Sequence, residues 1–170
     1  MNEQKLGFPL NKRMWFLCVK LNAMKNTTSA LVAGLIDAWN SQDNSRILSF
    51  YADNYVGEES SDPLPQYGKT GLSGMLQKFF NAFPDLSLAI GDFLIEESRV
   101  VIYWTAKGTH DGTIMNIPPT GKPVSIKGVS MLVFQDDQIT EGKHFWDLAG
   151  FLRDLGLLPK LPVHPAAIQG

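Results

Sequence analysis

The chain has 170 residues, 44% of them apolar and 19% charged, with a formal net charge of -2. One domain is the expectation at that length, and it can bury roughly 70% of the surface its unfolded chain exposes, enough for a core that encloses a cavity. Fifteen basic residues against seventeen acidic ones leave no clustered positive surface for phosphates, which excludes nucleic acid as the expected partner; the longest strongly apolar run, residues 14–19, falls far short of the ~20 needed to cross a bilayer.

Residues 1–26 read as an extension ahead of the domain. Their apolar run is interrupted by Lys20, and no small-x-small cleavage pattern follows, so they are not read as a signal peptide; Met24 could itself serve as a start. A single cysteine, Cys18, permits no internal disulfide and no multi-cysteine zinc site, which fits a cytoplasmic setting.

Domain-like patterning begins at Thr27 and Thr28, which can cap a helix over 29–41, where Leu31, Val32, Leu35, Ile36 and Trp39 share one face. A break over 40–44 precedes a second short helix over 45–51, and the Pro- and Gly-containing stretch 53–68 reads as loop. A third helix over 69–83 places Leu72, Met75, Leu76, Phe79 and Phe80 on one side, and Pro84 ends it. The period then shortens to two. Leu86, Leu88 and Ile90 alternate with polar or small residues, an irregularity is expected at Gly91-Asp92, and Val100–Thr109 is rich in β-branched and aromatic residues. After a long connection over 110–122, Val124–Gln135 and Ile139–Trp146 flank Asp136-Asp137 as a hairpin. A short helix runs from Asp147 to Leu155, and a proline-rich tail follows over 160–170. Helices followed by strands give an α+β fold, with a curved, cone-shaped antiparallel sheet closed by three helices and a short C-terminal helix.

The chemistry available is limited. No phosphate loop follows a strand, the three histidines lack metal-ligand spacing, and no serine elbow is present; neither metal nor cofactor is expected. General acid–base chemistry remains. Asp147, among Phe145, Trp146, Leu148 and Phe151, is either a helix cap or a desolvated carboxyl group able to act near neutral pH. His110, at the end of a strand, either orients a base or bonds nearby backbone. Tyr55 and Glu58 are candidates to face a cavity, and Trp39, Trp104, Phe80 and Trp146 either stack on a ligand or pack as core. Lys127 and Lys143 read as outward-facing.

AFPDLSLAI at 82–90, GTHDG at 108–112, PPTGK at 118–122 and ITEGKHFWDLAGFLRDLGLLP at 139–159 together resemble the SnoaL-like polyketide cyclases, or ester cyclases, within the nuclear-transport-factor-two-like fold. The resemblance runs from Leu31 to Pro159, about three quarters of the chain, and implies an α+β barrel domain over 27–159. It also implies a cofactor-independent intramolecular aldol condensation on a small apolar carbonyl substrate, with the matching aspartate, Asp147, as acid and base; the assisting histidine of such enzymes has no match here, and His110 stays a catalytic candidate from its position alone. Departures are visible. Glu58 stands where many relatives carry a histidine, Lys143 stands where a tryptophan is frequent, and Val124–Gln135 holds no histidine. A non-catalytic small-molecule-binding or assembly domain, or another proton-transfer enzyme resembling ketosteroid isomerase or an epoxide hydrolase, are the alternatives. A homodimer is expected, because a half-open sheet commonly covers its outer face with a second copy.

Overall fold

The computed structural model describes residues 27–162; the expectations for residues 1–26, and for 163–170 of the tail, lie outside them. Helix α1 occupies 27–40 and buries Val32, Leu35 and Ala38, as its apolar spacing requires. Helix α2, Asn44–Ser49, starts at Asp43, whose carboxylate accepts from the Arg46 N–H at 2.9 Å. Helix α3, Gly68–Ala82, buries Leu72, Leu76 and Ala82 and ends just before Pro84. Helix α4, Leu148–Asp154, closes the domain with Phe151 buried.

The sheet has six strands: β1 Tyr51–Glu59, β2 Asp62–Tyr67, β3 Ser87–Glu96, β4 Arg99–Thr109, β5 Pro123–Gln135 and β6 Gln138–Trp146. Their order is β2-β1-β6-β5-β4-β3. The four strands expected from their period are all present. The register shift in β3 falls between Ile90 and Asp92, at the expected Gly91-Asp92 irregularity. Asp136 and Asp137, both at positive φ (49° and 61°), turn β5 into β6.

Three expectations are corrected. The stretch read as loop over 53–68 contains most of β1 and all of β2. Strand β2 is an edge strand, almost wholly exposed, so it tolerates Pro63 and Pro65 and carries little apolar signal. The sheet is also not purely antiparallel: β1 runs parallel to β6, while every other neighbour is antiparallel. That pairing joins segments some eighty residues apart, beyond the reach of connection-length reasoning. Nor does the sheet close into a barrel, because β2 and β3 remain edges.

The concave face carries two apolar clusters. One joins α1, α2 and α3 to the middle of the sheet through Leu35, Leu76, Ile102 and Leu132; the other lies under α4 around Phe83, Val124 and Phe151. The end of α1 is fixed to the β3 edge by Asn40, which donates to Leu88 O at 3.0 Å and accepts from Leu88 N at 2.6 Å, in the manner of one more strand residue. The convex face exposes Leu94, Val101, Tyr103, Met131 and Phe145. No helix among the described residues is long and apolar enough to cross a membrane.

Candidate functional site

Between the helices and the concave face lies a cavity of about 140 Å³. Its walls are apolar, from Leu35 and Ile36 on α1, Leu72 and Met75 on α3, and Ile102 and Leu132 on the sheet. Polar side chains enter it from neighbouring strands at one side: Ser130 on β5, His144 on β6, Glu59 on β1 and Gln66 on β2. Strand alternation accounts for this. On β6, Glu141, Lys143 and Phe145 are exposed, whereas Gly142, His144 and Trp146 take the inward positions.

A hydrogen-bonded chain holds the imidazole. The Trp104 indole N–H donates to Ser130 Oγ at 2.9 Å, and Ser130 Oγ lies 2.8 Å from His144 Nδ1. An indole can only donate, which leaves the serine hydroxyl proton free to turn to Nδ1; in that arrangement the ring proton of the neutral imidazole sits on Nε2. Nε2 sits 3.3 Å from the Tyr55 hydroxyl, a long contact. Burial pushes the His144 pKa down from 6.5 to about 4, so the ring is neutral at physiological pH. Tyr55 is buried to 1% exposure, and its phenol is pushed well above the ordinary range, by burial first and then by the neighbouring Tyr51 and Glu59.

The glycines around that phenol have a steric reason. A Cβ at Gly57 would lie 2.5 Å from the Tyr55 oxygen; one at Gly142 would lie 2.6 Å from that oxygen and 2.8 Å from His144 Nε2. Gly128 leaves room for the Trp104 indole in the same way. Opposite His144 in the parallel β1–β6 register is Glu59. Its Oε1 accepts from the Trp146 indole at 2.6 Å and from Ser61 Oγ at 2.7 Å.

The sequence candidates divide. Trp39, Trp104 and Trp146 line the cavity, and Tyr55 reaches its polar side through His144. Phe80 packs edge-on against Trp39, ring centroids 5.6 Å apart, behind the lining. Glu58 points outward, one residue out of phase with the inward Glu59, and pairs with Lys143 across the exposed face at 3.3 Å. Lys127 and Lys143 are both exposed. His110 is fully buried away from the cavity, its Nδ1 3.1 Å from Thr120 Oγ1, with Phe83 against its ring. Its backbone N–H donates to Lys122 O, and its carbonyl accepts from Thr120 and Gly121, so it ties the 110–122 connection to the domain.

Asp147 is exposed and caps α4, accepting from the Gly150 N–H at 2.7 Å, outside the cavity lining. Asp147→Ala therefore lowers stability by about 1 kcal/mol, and Asp147→Asn, an equally good cap, restores most of it. Urea unfolding of both variants checks this, and equal losses from Ala and Asn would contradict the capping role. His144 and Glu59 were not among the residues singled out from the sequence. The signal available for His144 was parity: counting in steps of two from Trp146 puts it on the inward face. For Glu59 no such signal existed, because β1 itself was unrecognised.

A family model described as SnoaL-like polyketide cyclase matches residues 29–155. Among solved structures, AclR of Streptomyces galilaeus, a proposed hydroxylase, is 30% identical with a TM-score of 0.70, covering 79% of this chain and 87% of its own. IdmH of Streptomyces antibioticus, a proposed polyketide cyclase, is 28% identical with a TM-score of 0.66 over 75% of this chain and 97% of its own. A proposed SnoaL-like polyketide cyclase from Jannaschia sp. CCS1, 22% identical with a TM-score of 0.72 over 79% of this chain and 94% of its own, shares the fold. No curated protein sequence matches the chain.

Proposed function

The chain belongs to the SnoaL-like polyketide cyclase family, and from that premise we propose that it performs cofactor-independent acid–base chemistry, an intramolecular aldol closure, on a small apolar carbonyl compound held in the cavity. The observation that carries this reading is His144, a neutral imidazole oriented by Ser130 among apolar walls. At neutral pH such a ring is a hydrogen-bond donor rather than a cationic acid. A substrate carbonyl oxygen that takes the Nε2 proton in place of the long Tyr55 contact gains a donor where negative charge develops on enolisation. Water is largely excluded there, so the bond strengthens as that charge grows. The aromatic lining of Trp39, Trp104 and Trp146 suits a flat conjugated ligand.

The test is ring closure of a panel of aryl 1,5- and 1,7-diketones, followed by mass spectrometry in wild type and His144→Ala. A rate loss of about 100-fold is expected on removing the donor. Saturable binding of the panel, read from tryptophan fluorescence, without any closed product would instead make the domain a binding module.

A further inference from the structure

A neutral imidazole with a pKa of about 4 is a poor proton acceptor, so an aldol closure at this site needs another group to take the carbon-bound proton. Among the described residues, Glu59 is the only carboxylate lining the cavity. It is the direct register partner of His144 on the adjacent strand, where neighbouring backbones lie about 4.8 Å apart, so both residues line the same side of the cavity. Its placement is fixed from one side. The Trp146 and Ser61 donors both fall on Oε1, which orients the carboxylate. Trp146 itself lines the cavity, so the restraint comes from within the site.

We infer that Glu59 is the general base of this site and His144 its oxyanion donor, a division of labour that rests on the proton-transfer reading above. Glu59 takes a proton from the carbon next to a carbonyl whose oxygen accepts from His144. The C–H electron pair passes into the enolate. The enolate carbon then attacks a second carbonyl of the same molecule, forming the C–C bond, and the resulting alkoxide recovers the proton from the Glu59 carboxylic acid. No electron or co-reactant is left over. The substrate class follows from this arrangement: a largely apolar dicarbonyl, with the acidic C–H flanked by the carbonyl that meets His144.

The experiment uses 5-nitrobenzisoxazole, a flat bicyclic probe that opens when a base removes its ring C–H. The N–O bond breaks, the electron pair ends on phenolate oxygen, and a nitrile forms. Full-length wild type, Glu59→Gln, Glu59→Asp and His144→Gln are compared by phenolate absorbance. Glu59→Gln keeps an oxygen for Trp146 and Ser61 but cannot accept the proton; kcat is expected to fall about 100-fold with KM within threefold. Glu59→Asp retains a carboxylate and recovers part of the rate, which separates lost basicity from lost fold, and His144→Gln falls less than Glu59→Gln. If Glu59→Gln turns over as wild type while His144→Gln is inactive, the base assignment is overturned and the proposed function stands. If neither substitution matters, or wild type is no faster than an equal concentration of acetate, both are overturned.

Discussion

Gly142→Ala is expected to destabilise the domain by about 3 kcal/mol, the upper part of the range for inserting a methyl group into a packed core. The added Cβ would lie 2.6 Å from the Tyr55 oxygen and 2.8 Å from His144 Nε2. Neither group can give way cheaply. Tyr55 is 1% exposed and packs edge-on against Tyr51 with centroids 4.8 Å apart, and His144 is held from its far side by Ser130 at 2.8 Å. The same methyl group would turn the imidazole away from the cavity, so catalysis should fall further than stability alone explains. Two comparisons make the reason specific. Gly57→Ala has its three nearest contacts all on the Tyr55 ring and hydroxyl, so it should share the stability loss and spare more of the activity. Gly142→Ala combined with Tyr55→Phe removes the oxygen in the way, and the double variant should recover stability relative to additivity. Urea unfolding of wild type, the single variants Gly142→Ala, Gly57→Ala and Tyr55→Phe, and the double variant reads this directly; a Gly142→Ala cost below about 0.5 kcal/mol, the ordinary effect of a surface change, would contradict the geometry.

The second large effect is on stability against pH. His144 titrates at about 4 in the folded protein against 6.5 for an unperturbed histidine, because burial disfavours its charged form. Between those values the unfolded chain binds a proton that the folded one does not. The stability is therefore fully present above pH 6.5 and is lost as pH falls towards 4, by about 3 kcal/mol over the whole window at 1.36 kcal/mol per unit. His110, whose pKa is also lowered by burial, adds a change of the same sign. Asp53, held low by Lys69, and Asp85, held low by the Thr109 backbone and hydroxyl, contribute stability that is lost only below the ordinary aspartate value of 3.8. Denaturant unfolding of wild type and His144→Gln between pH 7.5 and 4.5 isolates the His144 share. The variant should show a visibly flatter profile; two parallel profiles would mean that His144 is not buried neutral as described.

Much of the fold was legible because its strongest elements have strong periods. The face of α1 with Val32, Leu35 and Trp39, the α3 run from Leu72 to Phe80, and the alternation of Val100–Thr109 and Val124–Gln135 each declare a buried side by spacing alone. Pro84 and the Asp136-Asp137 turn mark their ends by local backbone chemistry. The family was legible for a related reason, since its four quoted segments include turns and a helix end with narrow steric demands. The site was less so. Asp147 stands among apolar neighbours in sequence, yet the start of α4 turns its carboxylate onto the Gly150 N–H, and sequence proximity to Trp146 says nothing of that direction.

Glu58 and Glu59 differ by one position. Only the phase of β1, set by its parallel pairing with a strand some eighty residues away, decides which of them enters the cavity. Composition, period and turn chemistry thus determined the class of fold, the helices and the antiparallel core of the sheet, because those rest on local sterics and on burying one face. The tertiary structure decided that His144 and Glu59 fall opposite each other in register, and that two glycines make room for Tyr55, because register between distant strands follows from packing the whole domain rather than from either strand.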